Sequence, residues 1–167
     1  MTRFFTRIAA ASLMALVSTA AFAAEPENTL VISLKDGDVT IALRPDLAPK
    51  HVEQIKALTR KGAYDNVVFH RVIDGFMAQT GDVQFGNSAK DFNPAQAGMG
   101  GSDLPDIKAE FSQEPFVRGT VGMARAQSPD SANSQFFITF GDASFLNGQY
   151  TVVGNVESGM ELVDKIK

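Results

Sequence analysis

The sequence predicts a mainly β domain whose antiparallel sheet forms a barrel or a sandwich and packs with two helices. Three observations predict it: short apolar segments that suit β-strands recur along the chain, turn residues separate them, and two stretches carry apolar residues at helical spacing. A barrel or sandwich removes the exposed edges that many short strands would otherwise leave. The helices lie near the two ends of the domain, where they are placed to cap the openings of a barrel.

The first 23 residues predict a secretory signal peptide that takes no part in the fold. Arg3 and Arg7 give a basic start, an uncharged apolar run follows, and residues 21–23 form an A-x-A cleavage pattern. The alternative is a membrane anchor, but the uncharged run is shorter than the ~20 residues that a spanning helix needs. Cleavage after Ala23 therefore leaves one exported domain over residues 24–167.

Charge and composition exclude several classes of function. Removal of the two arginines of the leader moves the formal net charge from −4 to −6, and the charges are scattered, so nothing favours nucleic acid or anionic lipid. The chain has no cysteine, which excludes disulfides and a cysteine-linked lipid anchor. Two histidines are too few for a multi-histidine metal site. We therefore expect no metal, no cofactor and no stable membrane insertion.

The first predicted element of the domain is a β-hairpin. Residues 30–34 and 39–43 each alternate apolar and polar side chains, and Asp36-Gly37 lies at the turn between them. This alternation predicts one buried face on each strand. The positions expected to face inward are Leu30, Ile32, Leu34, Val39, Ile41 and Leu43.

A helix is predicted after the hairpin. Pro49 suits its first turn and Gly62 suits its end. His51 lies on it among charged residues, so we expect its ring to be solvated. The apolar stripe of this helix is Val52, Ile55 and Leu58.

The rest of the chain predicts further strands around one long irregular segment. Residues 85–116 are rich in glycine, proline and asparagine, and a loop of that length inside a small domain is usually functional. A second amphipathic helix is predicted from Ser158 to Ile166. The remaining strands are predicted at 67–72, 76–79, 119–124, 135–139 and 151–156.

Two catalytic templates are disfavoured. Ser134, His70 and Asp82 have the residue types of a hydrolase triad, but no serine lies in a G-x-S-x-G motif. We expect His70 to have a packed structural role instead. The glycine-rich stretch 98–101 lacks the Lys-Ser/Thr pair of a phosphate loop, so we expect a flexible loop there.

One cation occupies an unexpected position. Arg71 shares a predicted strand face with Phe69 and Ile73, and that face is expected to be buried. Burying a lone charge is costly, so the guanidinium needs a partner or a substrate. Gln79 and Gln135 lie on neighbouring segments and are candidates to orient it. An apolar pocket with one cation and a few amides suits a neutral apolar group flanked by carbonyls.

Four segments resemble the cyclophilins, a family of peptidyl-prolyl cis-trans isomerases. They cover most of residues 24–167 in order, and they are most similar to the bacterial periplasmic branch. The resemblance implies a closed antiparallel eight-stranded barrel capped by two helices. It also implies a cofactor-free periplasmic monomer that accelerates X-Pro rotation in unfolded or extended polypeptides as exported proteins fold. The segments are FHRVIDGFMAQTGD at 69–82, VGMARA at 121–126, NSQFFI at 133–138 and FLNGQYTVVG at 145–154.

The resemblance also implies a set of site residues. Arg71, Gln79 and Phe137 are expected to be catalytic, and the backbone of 124–126 is expected to pair with the substrate peptide. Three positions depart from the common pattern: many members have Asn at Arg125, and many eukaryotic members have Trp at Phe145 and His at Tyr150. The residues expected to bind substrate are Phe76, Met77, Ala124, Arg125, Ala126, Gln135, Phe145, Leu146 and Tyr150.

The end of the sequence raises a further expectation. The family closes its barrel with a last strand after the second helix, whereas this sequence stops at Lys167, inside that helix. We therefore expect that strand to be missing from the domain, which would leave an apolar edge along residues 30–34. Two other functions stay open: a non-catalytic peptide-binding chaperone module that uses the same groove, and a secreted barrel whose phenylalanine cluster is only core.

Overall fold

A computed structural model describes residues 26–90 and 92–166 of the chain. The predicted signal peptide lies outside the described residues. Neither helix in the described ranges has the length and apolar character needed to cross a membrane. The strands are β1 Thr29–Leu34, β2 Gly37–Leu43, β3 Arg71–Ile73, β4 Met77–Thr80, β5 Thr120–Met123, β6 Phe136–Thr139 and β7 Val152–Ser158; the helices are α1 Pro49–Arg60 and α2 Met160–Val163, with 3-10 turns at Pro26–Asn28 and Ser144–Leu146.

The seven strands form one curled antiparallel sheet in the order β1-β2-β7-β5-β6-β4-β3. The mainly β class and the two helices are confirmed. Within the described residues β1 and β3 are the two edges of the sheet, and no strand joins them. The closed eight-stranded barrel therefore stays a prediction.

The hairpin and the first helix agree with their patterns. Leu30, Val39, Ile41 and Leu43 are buried, and the other two inward positions of the hairpin pack against the same core. Val31 points to the opposite side and is 50% exposed. Pro49 occupies the first turn of α1, and the predicted stripe of that helix is buried.

His51 is not solvated, contrary to expectation. Its side chain is fully buried, and its Nδ1 lies 2.6 Å from Oε2 of Glu110. The same carboxylate accepts the backbone N–H groups of Lys50 and His51. No side chain of the residue before α1 caps its amino end, so Glu110 supplies from a distant loop the acceptor that a local cap would provide. Sequence neighbours of His51 are charged, but its contact lies 59 residues away.

The predicted strand at 67–72 is mostly irregular, and this reverses the expected orientation of Arg71. Regular pairing begins only at β3, where Val72 packs against the core while Arg71 and Ile73 are exposed. Phe69 also packs against the core, because the irregular backbone before β3 breaks the alternation that would have placed it beside Arg71.

Two apolar clusters lie on the two faces of the sheet. Successive residues of a strand point to opposite faces, so Phe136 and Ile138 enter the main core whereas Phe137 enters the second cluster. The main core also contains the inward residues of the hairpin, together with Val52 and Ile55 of α1. The buried members of the second cluster are Met77, Phe116, Phe137, Ala143, Leu146 and Val152.

The remaining elements fall close to their predicted places. Residues 81–119 contain no strand or helix among those described, in agreement with the predicted long loop. The last strand extends to Ser158, so the second helix begins at Met160 and is shorter than predicted. Each shift is at an element boundary, where side-chain pattern is weakest as a signal.

The contact of Glu110 with α1 predicts a pH-dependent contribution to stability. Burial opposes ionisation of this carboxyl, but the bonds from the His51 ring and from two backbone N–H groups outweigh it and lower the pKa of Glu110. Glu110→Gln should therefore reduce the free energy of unfolding at pH 7 by about 1–3 kcal/mol. A lowered pKa stabilises the fold fully above the unfolded value, so the difference should shrink as the pH falls below about 4.3.

Urea unfolding of both proteins at pH 7 and at acid pH measures this contribution. Glu53→Gln, on the exposed side of α1, is the matched control and should leave stability unchanged at either pH. A Glu110→Gln protein as stable as the wild type at pH 7 would contradict the capping role.

Candidate active site

A single row of directly opposed residues crosses four strands on the face of the second cluster. Arg71 on β3 pairs with Gln79 on β4, Gln79 pairs with Phe137 on β6, and Phe137 pairs with Gly122 on β5. Directly opposed residues of antiparallel strands share a face and lie about 5 Å apart. The register therefore brings together the three residues expected to be catalytic.

Two glutamine amides connect Arg71 to a loop. Nη1 of Arg71 lies 3.4 Å from Oε1 of Gln79, and Nε2 of Gln79 donates to Oε1 of Gln135 at 2.9 Å. Nε2 of Gln135 donates to the carbonyl oxygens of Gly98 at 3.0 Å and Gly100 at 2.7 Å. Both glutamines thus lie where they were expected. The prediction that Arg71 is buried was wrong, because its side chain lies at the exposed edge of the row.

Beside this cation, an apolar floor is formed by the side chains of Phe137, Met77, Leu146, Phe116 and Tyr150, with Phe137 at its centre. Phe137 is 5% exposed, it stacks on Phe116 with ring centroids 5.8 Å apart, and it meets Tyr150 edge-on at 5.8 Å. Met77 and Leu146 are buried in the same cluster. The floor therefore brings together most of the apolar residues that were predicted to contact the substrate.

The other two predicted aromatics form a separate pair at the rim. The rings of Phe76 and Phe145 lie 5.3 Å apart, and Phe145 is 63% exposed. Phe76 also packs against the second cluster, so this pair continues the apolar floor toward solvent.

Sequence reasoning missed two residues that shape the floor. A Cβ at Gly122 would lie 2.6 Å from ring atoms of both Phe116 and Phe137, so any larger side chain would separate the stacked rings. Gly122 is within a segment that the resemblance singled out, and that was the available signal. Phe116 offered none, because a lone phenylalanine at the end of a loop has no pattern around it.

The segment 124–126 is only partly available to a peptide. The N–H of Ala124 donates to the carbonyl of Gln135, and that of Ala126 donates to the hydroxyl of Ser131. The described residues form no hydrogen bond with the backbone of Arg125, which leaves its N–H and C=O open for pairing. The predicted pairing therefore centres on Arg125.

The side chain of Arg125 packs on Tyr150, at the border of the floor, and connects it to neighbouring loops. Its guanidinium lies 4.5 Å from the ring centroid of Tyr150 and donates to the backbone carbonyls of Ala126, Gln127 and Gln149. A cation at this position thus ties two loops together, which an asparagine is too short to do.

A groove of about 420 Å³ runs beside the row. The loop 98–102 forms one side, residues 124–126 form the other, and Gln79 and Gln135 lie between them. Gln79, which is directly opposed to Phe137, lines this groove, so the groove adjoins the apolar floor.

The hydrolase triad is excluded by the contacts of its members. Ser134 donates to the carbonyl of Gly81, and Asp82 accepts backbone N–H groups. Neither ring nitrogen of His70 has a hydrogen-bond partner among the described residues, and burial lowers the pKa of this histidine. His70 is a packed, half-buried side chain with no catalytic partner there.

Known proteins with related sequences carry names that refer to one activity. The model of the cyclophilin type peptidyl-prolyl cis-trans isomerase/CLD family matches residues 29–167. A protein of Brucella suis named a probable peptidyl-prolyl cis-trans isomerase is 68% identical over 164 residues, which are 96% of this chain and 83% of that protein.

Solved structures with a similar fold include cyclophilins. A cyclophilin from Hirschia baltica has a TM-score of 0.71 at 26% identity, covering 85% of this chain and 68% of its own. A cyclophilin type isomerase from Cryptosporidium parvum, crystallised in the presence of the dipeptide Ala-Pro, has a TM-score of 0.70 at 29% identity, covering 82% and 85%. The chain belongs to the family of cyclophilin-type peptidyl-prolyl cis-trans isomerases.

Proposed function

We propose that Arg71 accelerates rotation about X-Pro bonds by donating a hydrogen bond to the prolyl nitrogen when the bond is twisted. The peptide bond resists rotation because the nitrogen lone pair is delocalised into the carbonyl, with a barrier of ~18–20 kcal/mol. The lone pair becomes an acceptor only in the twisted state. A donor that meets it there binds the transition state more tightly than either planar isomer.

The single observation that supports this role most strongly is the row that places Arg71 beside Gln79 and Phe137. Arginine stays protonated at any relevant pH and presents a planar, directed set of donors. Gln79 accepts from one of those donors and restricts the orientation of the guanidinium. No proton is transferred, so the role needs no nucleophile, metal or cofactor.

The apolar floor supplies the rest of the acceleration. A hydrogen bond to a charged group contributes about 1.5–3 kcal/mol, which is roughly one to two decades in rate. A larger effect needs the proline ring to be held while the preceding carbonyl turns. Phe137, Met77 and Leu146 offer that surface, with Phe76, Phe145 and Tyr150 around it.

We propose proline-containing unfolded or extended polypeptides as the partners of a monomeric protein that does not bind nucleic acid. The open backbone of Arg125 beside the groove supports pairing with an extended chain. The presence of Ala-Pro in the Cryptosporidium crystal is consistent with such substrates for this family. A non-catalytic chaperone module is the alternative, but it gives no reason for a cation held beside the floor.

Loss of the guanidinium is the direct test of the mechanism. Arg71→Ala should lower kcat/KM in a proline-peptide isomerisation assay by about 10- to 100-fold, because one charged hydrogen bond of the transition state is lost. Arg71→Lys should recover only part of that rate, since a single ammonium cannot both contact Gln79 and keep the planar geometry.

Both variants should have the melting temperature of the wild type, because Arg71 is exposed. Arg60→Ala, which removes an exposed cation from α1, is the control and should keep full activity. Wild-type turnover by Arg71→Ala would contradict the mechanism, and an inactive wild-type protein that still binds proline peptides would favour the chaperone module.

We also propose that residues 1–23 direct export to the periplasm and are removed there, leaving the isomerase domain at 24–167. The basic start, the apolar run and the A-x-A pattern support this. In a Gram-negative host the periplasmic protein should begin at Ala24 by N-terminal sequencing, and replacing Arg3 and Arg7 by glutamate should slow processing. A periplasmic protein that retains Met1 would contradict cleavage.

Finally, we propose that an eighth strand closes the barrel along β1. A groove of about 550 Å³ lies there, and its lining includes residues 30–34 of β1, residues 64–69 and Phe136. The apolar side chains that line it, and the position of β1 as an edge strand that no further described strand joins, support one more strand there.

An extension after Lys167 tests closure. Six residues of alternating apolar and polar character match the length of β1, and they should raise the melting temperature and slow hydrogen exchange in β1. A Gly-Ser extension of equal length is the control. Equal melting temperatures for the two proteins would contradict closure by such a strand.

A further inference from the structure

A buried carboxylate organises the loop behind the two glutamines. Asp82 is fully buried. Its Oδ1 accepts the backbone N–H groups of Gln84 at 3.1 Å and Phe85 at 2.9 Å. Its Oδ2 accepts those of Gly98 at 2.7 Å and Gly100 at 3.0 Å. One side chain thus holds both ends of a loop whose interior contains no strand or helix among the residues described.

The same two glycines determine the orientation of both glutamine amides. The carbonyls of Gly98 and Gly100 accept both hydrogens of the Gln135 amide. The oxygen of that amide must then face the other way, where it accepts from Nε2 of Gln79. This leaves Oε1 of Gln79 directed at Arg71. Reversal of either amide would set donor against donor or acceptor against acceptor.

We infer that Asp82 is a positioning residue for Arg71, acting through the glycine carbonyls, Gln135 and Gln79. This inference rests on the proposed function of Arg71. The chain of contacts connects the buried carboxylate of Asp82 to the exposed guanidinium of Arg71. Hydrogen bonds connect the successive residues, and Asp82 itself is fully buried and lines neither the floor nor the groove.

The chemistry of the anchor requires an ionised carboxylate. Four N–H donors converge on it, so both oxygens must be acceptors. Burial opposes ionisation, but the four backbone donors together outweigh it and lower the pKa of Asp82. An asparagine of the same shape would direct its own N–H groups at two of the donors.

Two glycines are also required by the packing. At Gly98 φ is +97°, and an added Cβ would lie 2.8 Å from the ring of His70. At Gly100 an added Cβ would lie 2.6 Å from Oδ1 of Asp82. The absence of side chains allows the loop backbone to reach the carboxylate and Gln135 at once, so the half-buried His70 serves as a wall of the loop.

Asp82→Asn is the first test. It should lower kcat for a short proline peptide by about 10- to 100-fold, the cost of a small misplacement of a catalytic group, and change KM less than about twofold because the apolar floor is untouched. Asp103→Asn, an exposed residue of the same loop region that makes no hydrogen bond with the described residues, is the matched control and should leave both constants unchanged.

Gly100→Ala breaks the same contact without altering the carboxylate, so it tests the inference if Asp82→Asn does not fold. It should lower kcat to a similar extent. Its control is Gly141→Ala, where the nearest heavy atom to an added Cβ is 3.9 Å away. Activities are measured well below the melting midpoint of each protein, so that loss of fold does not contribute.

Dependence on Arg71 distinguishes positioning from general damage. In an Arg71→Ala background, Asp82→Asn should cause no further loss, because the cation it positions is absent. A loss that multiplies in the double variant, or a wild-type kcat in both Asp82→Asn and Gly100→Ala, would overturn the inference.

A readout without activity separates this inference from the proposed function. In NMR spectra, Asp82→Asn or Gly100→Ala should shift the side-chain amide signals of Gln135 and Gln79, while Asp103→Asn should not. If those signals move but the wild-type protein does not isomerise proline peptides, the proposed function fails and the chain of contacts stands. Unmoved signals overturn the chain of contacts even in an active protein.

Discussion

The site depends on the register of four short strands. Arg71, Gln79, Phe137 and Gly122 are opposed across β3, β4, β6 and β5. Because side chains alternate along a strand, a slip of one residue in any pair would send its member to the core face and bring an apolar core residue into the site. The main core prevents such a slip, since Ile138 and its neighbours have no other buried place. Packing on one face thus specifies chemistry on the other.

This arrangement assigns different tasks to the aromatic and the polar residues of the site. Phe137 is nearly buried and is stabilised by Phe116 and Tyr150, so the floor is rigid before any peptide arrives. Each amide link from Gln135 to Arg71 contributes only about 1 kcal/mol of net stability. A hydrogen-bonded amide restricts where a long, exposed guanidinium points. In the proposed mechanism, that restriction would lower the entropy lost when the guanidinium meets the twisted bond.

Features encoded by local pattern were predictable, and features set by distant contacts were not. The hairpin and α1 follow from alternation, helical spacing and Pro49. The contact of Arg71 with Gln79 was predicted from their neighbouring segments, but the exposure of Arg71 was not, because pattern cannot show where β3 begins. His51 was misjudged because its partner, Glu110, is remote in sequence. Gly122 had no pattern that required a small residue, since its neighbours in space come from other segments.

Exposure of Arg71 in the free protein is compatible with a demanding electrostatic role. A guanidinium in water forms weak interactions because the solvent screens and competes for its donors. A proline ring that covers Phe137 and a chain that enters the groove would exclude that water from one side of the cation. The hydrogen bond to the prolyl nitrogen would then form at lower effective dielectric, while Gln79 still satisfies another donor. In the proposed mechanism the protein would thus avoid the cost of burying a charge permanently, and the substrate itself would supply the burial when the bond begins to turn.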